Sequence, residues 1–419
     1  MEQNGERTVF YLAEAAASRD GLAVVVVSAL LVSMIYLQKL GITINEGSFG
    51  LNVALLWIGL ALVALVNQLA IDVSRLLAFT ALLASMSLSM ALSPEESRWS
   101  AFVIFIAMFA GFIFRIPVSP ILALRSLLFF QRLMVPIAGI VILQQLLQLV
   151  IGPHIRISIE DVIPDYLLYP GFAYIRPVAW NSPYTVPNGL FLLEPSTVSG
   201  YLAAALVAEL VWFKSGWRIV VFITALVAGM ALTGFIAILV TLPFWFWRAE
   251  PRIILALALL IAPLAGAALS MGWLDPLIDR ADELSSDASS AYARLVVPMQ
   301  SIASQIGDPA HWFTGLGAGS SPKGADRVQW PFSKLLHEYG LASAVLFHVF
   351  LVQAVVSANY LRSVTVVLLL PYLCFGGGFV AHASVMPLLL LGPIFFVHGR
   401  SDADSIVDCK SEELPAIRK

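Results

Sequence analysis

Apolar runs long enough to cross a bilayer alternate with short polar breaks along almost the whole chain. A hydrocarbon core of about 30 Å takes about 20 apolar residues of helix. On that measure the pattern predicts spans near residues 21–38, 50–69, 75–92, 99–115, 133–152, 195–213, 218–232, 235–247, 253–272, 338–357, 363–379 and 383–398. The runs are continuous and do not alternate in twos, which points to helices and away from barrel strands. The stretch 218–247 is too long for one comfortable helix and short for two, with Thr233-Gly234 as the candidate break. Charge resolves it, because Lys and Arg gather on the cytoplasmic side of a membrane protein. With two helices there, 15 of the 24 Lys and Arg residues fall on the inner side; one helix would throw Arg248 and Arg252 outside and invert everything after them. The expectation is an all-α polytopic domain over residues 1–399 with twelve spans and both termini cytoplasmic, followed by a charged tail, 400–419.

Two polar interruptions are long, 153–194 and 273–337, and both fall on the outer side of this arrangement. Long loops in a compact chain are usually functional, so chemistry is expected there. The basic stretch 115–132 is amphipathic and is predicted to lie on the inner leaflet, where anionic lipid attracts it. Composition narrows the class further. The chain of 419 residues is 59% hydrophobic and only 12% charged, with a mean hydropathy of +0.87. Soluble domains carry roughly 25% charged residues, so a soluble globule is excluded. Two cysteines cannot form a disulfide framework, and no Cys/His cluster has the spacing of a metal site; neither a metal nor another cofactor is expected. The first residues lack the features of a cleavable signal, and no internal repeat is visible.

Within the first outer loop, the run Pro187-Asn188-Gly189-Leu190-Phe191-Leu192-Leu193-Glu194-Pro195-Ser196 leads into a span. Proline is comfortable at the first position of a helix, which puts Pro195 there and Glu194 at the cap. Glu194 is then either a general base or arginine-orienting group, or a cap bonded to its own helix's amides. Arg176, between Tyr174 and Pro177, offers a planar fork to a diphosphate, or snorkels to headgroups.

In the second loop Tyr292, Leu295, Val296, Met299, Ile302 and Ile306 recur at helical spacing. That predicts a helix over 289–306 lying on the outer leaflet, kinked at Pro298. Arg294 falls off the stripe, and Arg280 precedes it among carboxylates. Two cationic forks on one outer loop suit an anionic, lipid-linked substrate. Gly315, Gly317 and Gly319 form a turn after Trp312-Phe313-Thr314. It lacks the ending of a phosphate-binding P-loop, so no nucleotide or nucleic acid is expected, though glycine permits close approach to a ligand. Trp330 closes the loop, and His337 with Glu338 opens the next span. Histidine can serve as acid or base near neutrality, or simply hydrogen-bond its neighbours.

Taken together, Gly189-x-Phe191-x-x-Glu194-Pro195-Ser196 with Tyr201-Leu202, then Arg294, the Gly315-x-Gly317-x-Gly319 turn and Leu335-x-x-Glu338-Tyr339-Gly340-Leu341 resemble the O-antigen polymerase and ligase superfamily of bacterial envelope glycosyltransferases. The resemblance covers roughly residues 170–345 and is nearer the polymerases of exopolysaccharide and O-antigen than the ligases. It departs in one place. Many members carry a His-Asn pair some ten residues before the Glu-x-Gly, where this chain reads Val328-Gln329-Trp330.

The resemblance implies an integral membrane fold of the C-type glycosyltransferase kind in the bacterial inner membrane. It implies metal-independent polymerisation of undecaprenyl-diphosphate-linked oligosaccharide on the outer face, with a flippase and a chain-length regulator as partners. Arg176, Arg280 and Arg294 would hold the diphosphate. Glu194, Arg294 and His337 would be catalytic, and Trp312, Trp330 and the glycine turn would meet the sugars. A ligase is the nearest rival. A polysaccharide or lipid transporter or flippase is the second, although such proteins place polar groups in mid-membrane and often show paired repeats.

Overall fold

In the computed structural model the described residues are 21–44, 47–65, 69–93, 97–117, 120–155, 157–169, 177–178, 182–245, 290–306, 309–320, 330–356, 361–375 and 395–396. They are mostly helical. In chain order the helices are α1 (Gly21–Tyr36), α2 (Leu51–Leu65), α3 (Val73–Leu92), α4 (Trp99–Phe109), α5 (Pro120–Val150), α6 (Pro195–Ala208), α7 (Gly216–Ala228), α8 (Leu232–Trp245), α9 (Ser290–Ile306), α10 (Pro309–Thr314), α11 (Pro331–Val356) and α12 (Arg362–Phe375). Four segments are long and apolar enough to cross a membrane: Val73–Leu92, Ala123–Val150, Pro195–Phe213 and Pro331–Val355. Five shorter apolar helices accompany them. The chain is a helical protein built for a membrane. The predicted spans at 253–272 and 383–398 and the tail 400–419 lie outside the described residues, apart from a two-residue strand at Phe395–Phe396.

Burying an apolar face gains little over lipid, so helices in a bilayer are held by close packing and by polar contacts. Both are visible. Helix α6 is buried nearly all round, and Gly200, Ala203, Ala204, Ala205 and Ala208 let its neighbours come close. It packs against α5, α7, α8 and α12. Ser199 clasps the α7–α8 turn: its hydroxyl donates to the Ala231 carbonyl (2.8 Å) and accepts from Gly234 N–H (2.8 Å). Any Cβ at Gly234 would collide with Ser199. Gly234→Val should therefore cost about 1–3 kcal/mol by overpacking, read as a lower melting temperature in detergent; an unchanged melting curve would show that the clasp does not hold α8. On the other side α3, α4 and α11 share an aromatic core. Phe109 meets Phe105 at 4.7 Å and Phe347 at 4.9 Å, and Phe79 meets Phe350 at 5.1 Å.

The two ends of the bundle differ. At one, β3 (Ala70–Ile71) pairs antiparallel with β4 (Phe114–Pro117), and β5 (Phe395–Phe396) pairs parallel with β4. Asp72 caps α3 there, accepting from Ser74 and Arg75 N–H groups. It also accepts from Arg115 Nε (2.6 Å) and pairs with the buried Arg75 (3.0 Å). Burial pushes the Asp72 carboxyl up, but its bonds from Ser74, Arg115 and the Arg75 amide outweigh that and leave it below the usual range. Helices α3 and α5 both begin at this end. Their far ends meet the segments 182–194 and 309–320, which therefore share the opposite, loop end. The hairpin β1 (Gly41–Ile44) with β2 (Gly47–Gly50) lies between α1 and α2.

Three local expectations are corrected. Residues 120–132 do not lie along the membrane surface. They are the first turns of α5, with Leu127, Phe130 and Gln131 wholly buried. The helix also runs on through Pro136, and Tyr36 donates to the nearby Leu133 carbonyl (3.1 Å). The stretch 218–247 does divide, but at Gly229–Met230–Ala231, where Met230 has φ 45°, and Thr233-Gly234 is helical. Finally, α9 rests on α10 and α11. Pro298 and Gln305 are buried and Ile302 is packed on the core, while Met299 is exposed. Its inner face is thus rotated from the stripe that periodicity picks out.

Candidate functional site

The loop end holds two polar constellations. The first surrounds the start of α6. Glu194 is the N-cap residue in extended conformation, with Pro195 at the first helical position. Its carbonyl takes the Thr197 and Val198 amides. Its carboxylate makes no capping bond; Oε2 accepts instead from Ser196 Oγ at 3.1 Å. The backbone therefore makes the cap, and the half-buried carboxylate turns to the Ser196 hydroxyl in the first turn of the same helix.

The chain reaches Glu194 through a strained turn. Leu190 has φ 69°, a value that L-residues other than Asn and Asp rarely adopt. Phe191 N–H donates back to Gly189 O (2.8 Å) across it, the rarer and more strained kind of γ-turn. Strain of this kind persists only where surroundings over-determine it, and here they do. Asn188 Oδ1 accepts from Leu190 N–H (3.0 Å) and Gln144 Oε1 from Gly189 N–H (3.1 Å). Gln148 takes Thr185 N–H (2.7 Å) and donates to Thr185 O (3.0 Å). Gln38 Oε1 accepts from Leu193 N–H (2.9 Å), and Gln38 Nε2 donates to the Tyr201 hydroxyl (3.3 Å).

Beneath the turn, Lys39 and Glu160 form a buried ion pair. Glu160 also accepts from Ser158 and from Asn188 Nδ2 (3.3 Å). Burial alone would raise the Glu160 carboxyl, but the bonds from Lys39 and Ser158 outweigh that and hold it below the usual carboxylate range.

The second constellation is built on a broken helix. Gly340 inside α11 has φ 79° and ψ 176°, which interrupts the helical backbone. In an unbroken helix the carbonyls of His337 and Glu338 would be taken four residues on. Here the glycine turn takes them: Leu316 N–H donates to His337 O (2.7 Å) and Gly317 N–H to Glu338 O (3.0 Å). A Cβ at Gly315 would fall 2.5 Å from Tyr339 N. The close approach that these glycines permit is made to the chain's own helix.

The turn is tied down further by Arg98 N–H to Ala318 O (2.8 Å), and by Ser89 Oγ donating to Thr314 O. Gly319, at φ 75°, lies against Arg98. Helix α9 meets this junction where Gln305 Nε2 lies 2.6 Å from His337 Nδ1. With that amide donating, a neutral His337 carries its proton on Nε2. Trp330 caps α11 through its carbonyl, which accepts from Lys334 N–H (2.9 Å) and Ser333 Oγ (3.0 Å).

Polar atoms without partners gather here. Of fifteen buried side-chain atoms that make no hydrogen bond among the described residues, five belong to this junction: Gln305 Oε1, Trp312 Nε1, Ser320 Oγ, Glu338 Oε1 and Tyr339 Oη. Glu338 Oε1 has Lys334 Nζ at 3.4 Å as an ion-pair neighbour. Each such atom costs about 1–3 kcal/mol when left dry, so the junction is prepared for polar company.

Of the residues picked out from sequence, His337, Trp312, Gly315, Gly317 and Gly319 belong to the elements of this one junction, while Trp330 stands at the start of α11. Arg294 rides on α9, which docks there, though its side chain lies outside the described set. Arg176 and Arg280 also lie outside the described residues. Glu194 belongs to the first constellation. The supporting residues Gln38, Lys39, Gln144, Gln148 and Glu160 were not anticipated. One signal existed: Gln144 and Gln148 put two amides one turn apart in an otherwise apolar run, and polar side chains in a span are expensive and rarely idle.

Comparison with family models finds none that matches the chain, and comparison with curated proteins finds no match either.

Proposed function

We propose that this protein is a glycosyltransferase that polymerises oligosaccharide repeat units carried on undecaprenyl diphosphate, at the outer face of a bacterial inner membrane. The observation that supports this reading most is the state of Glu194. Its carboxylate is half-buried, makes no capping bond to the backbone and accepts from Ser196, and it follows a strained backbone turn held by Asn188, Gln144 and Gln38. That is how a chain positions an acid–base group, and a simple helix cap needs none of it. The second constellation, with His337 and the α9 helix that carries Arg294, opens at the same end.

In the proposed reaction a hydroxyl of one lipid-linked unit attacks the anomeric carbon of the glycan on another. The new C–O bond forms as the bond to the diphosphate breaks, and the diphosphate leaves with the electron pair. The hydroxyl proton passes to Glu194. Fixed guanidinium groups from Arg294, Arg176 and Arg280 stabilise the charge that develops on the leaving oxygen, and their bidentate geometry is why lysine would substitute poorly.

Arg294→Ala tests this in the native host. It should give normal amounts of protein, accumulated single repeat units on the lipid carrier, and at least a hundredfold less polymer. Arg294→Lys should behave nearly as badly. Normal polymer in Arg294→Ala would remove that residue from the site. Gene deletion separates the nearest rival: long chains stranded on the carrier would mean ligation in place of polymerisation.

A further inference from the structure

We propose that Gln38 is the positioning residue for Glu194: through the Leu193 amide it sets where the carboxylate stands, without touching substrate itself. The inference rests on the acid–base reading of Glu194 and adds the element that aims it, the turn 37–40 that ends α1.

Leu40 N–H closes that turn on Leu37 O (3.0 Å), which leaves Gln38 and Lys39 at its two central positions. A connecting turn usually shows its side chains to water. These two are buried, at 0% and 2% exposure, and each reaches across to the chain that leads to Glu194. Gln38 Oε1 accepts from Leu193 N–H (2.9 Å), one residue before Glu194. Gln38 Nε2 donates to the Tyr201 hydroxyl (3.3 Å), about two turns down α6. The amide cannot be reversed, because a backbone N–H bonds only its oxygen end. One side chain therefore spans the start of α6, from the approach to the second turn. Lys39 pairs with Glu160, which accepts from Asn188, and Asn188 in turn accepts from Leu190 N–H. Tyr36 meets the Phe191 ring edge-on at 4.9 Å. Residues 190, 191 and 193 are all referred to the end of one helix.

Among these holds, Gln38 acts nearest to Glu194. Leu193 is itself wholly buried, so bulk water does not replace the bond. A strained turn keeps its shape only while its surroundings enforce it. Removing the hold lets Glu194 shift, and a misplacement of about 1 Å at a reacting group costs up to roughly 100-fold in rate. Such a loss falls on kcat and leaves KM in place.

The test follows chain growth by the full-length protein in lipid nanodiscs, fed lipid-linked repeat units extracted from a strain lacking the gene, with rates expressed per folded protein. Gln38→Met fills the space without hydrogen bonds, and Gln38→Asn carries the amide one methylene short. Both should lower kcat roughly 10- to 100-fold and change KM by less than about threefold. Where Gln38→Met fails to fold, Gln38→Asn carries the same readings. Gln38→Glu keeps an acceptor for Leu193 N–H, and the Tyr201 hydroxyl can bond the new carboxyl in either protonation state, so kcat should return to within about threefold of the wild type. Hydrogen exchange at the Leu193 amide should quicken in Gln38→Met and Gln38→Asn and stay slow in Gln38→Glu. Gly234→Val is the control for stability alone, melting lower with wild-type kcat.

A kcat that falls in Gly234→Val as far as in the Gln38 variants would make the loss one of general stability, and would overturn the inference. So would a Gln38→Glu protein no better than Gln38→Met. Wild-type kcat in Gln38→Met and Gln38→Asn, with Glu194→Gln inactive, would overturn it while sparing the acid–base reading. Wild-type kcat in Glu194→Gln would remove that reading itself, and with it the purpose of the Gln38 hold.

Discussion

Gly340→Ala should yield little folded protein. Three effects act together. The backbone at Gly340, φ 79° and ψ 176°, is in a region open essentially to glycine, costing about 1–3 kcal/mol for any other residue. The added Cβ falls on the Phe313 carbonyl, which is backbone and cannot turn aside as a flexible side chain would. Relief of that collision moves the glycine turn and breaks the bonds from Leu316 and Gly317 to the His337 and Glu338 carbonyls; each is worth about 0.5–1.5 kcal/mol net. Backbone and bonds together cost about 2–6 kcal/mol and the collision adds to that, a large effect for one methyl group. Melting in detergent, followed by size-exclusion profile, measures it. A Gly340→Ala protein that melts with the wild type would mean that α11 tolerates an unbroken path here.

Glu160→Ala has the second-largest expected effect, about 3–5 kcal/mol, because it strands the Lys39 ammonium in a buried place. It also removes an acceptor from Ser158 and Asn188, so the strained turn before Glu194 loosens and activity falls with stability. Lys39→Met combined with Glu160→Leu should recover most of the stability, since well-packed apolar replacements of buried pairs are often neutral. A double-mutant cycle without coupling would show that the pair does not hold the loop.

The pair also sets an acid limit. The folded Glu160 carboxyl lies below its usual range, held there by Lys39 and Ser158 against the upward push of burial. Its contribution is therefore full above the unfolded value of about 4.3, and it is lost as pH falls through the folded value. Glu160→Gln should flatten the acid limb of a stability profile, whereas an unchanged limb would assign acid sensitivity to other carboxylates.

Helix starts were readable where local chemistry marks them. Pro195 opens α6, Glu194 stands at its cap, and α9 begins and ends within a residue of its periodic pattern. The split of 218–247 was readable from charge, because Arg248 and Arg252 need a side. What lipid hides is which face of a helix meets protein. In α5 and α6 nearly every position is apolar, so periodicity cannot tell a neighbour helix from an acyl chain. Hence the run of α5 back to Pro120 went unseen. Lys39 and Glu160 are 121 positions apart, and no local pattern joins them. The break at Gly340 was illegible for another reason: Tyr-Gly-Leu inside an apolar run reads as a tolerated helical glycine, and only the turn at 315–319 makes the kink stable.

Helix α7, joined to α8 by the turn at Gly229–Ala231, has 13 residues, about 20 Å of rise. A hydrocarbon core measures about 30 Å. Outward-facing Val220, Val227 and Leu239 thus give an apolar flank shorter than that depth. A bilayer meeting this flank would thin to match it, which would make it a place where membrane thickness acts on the molecule.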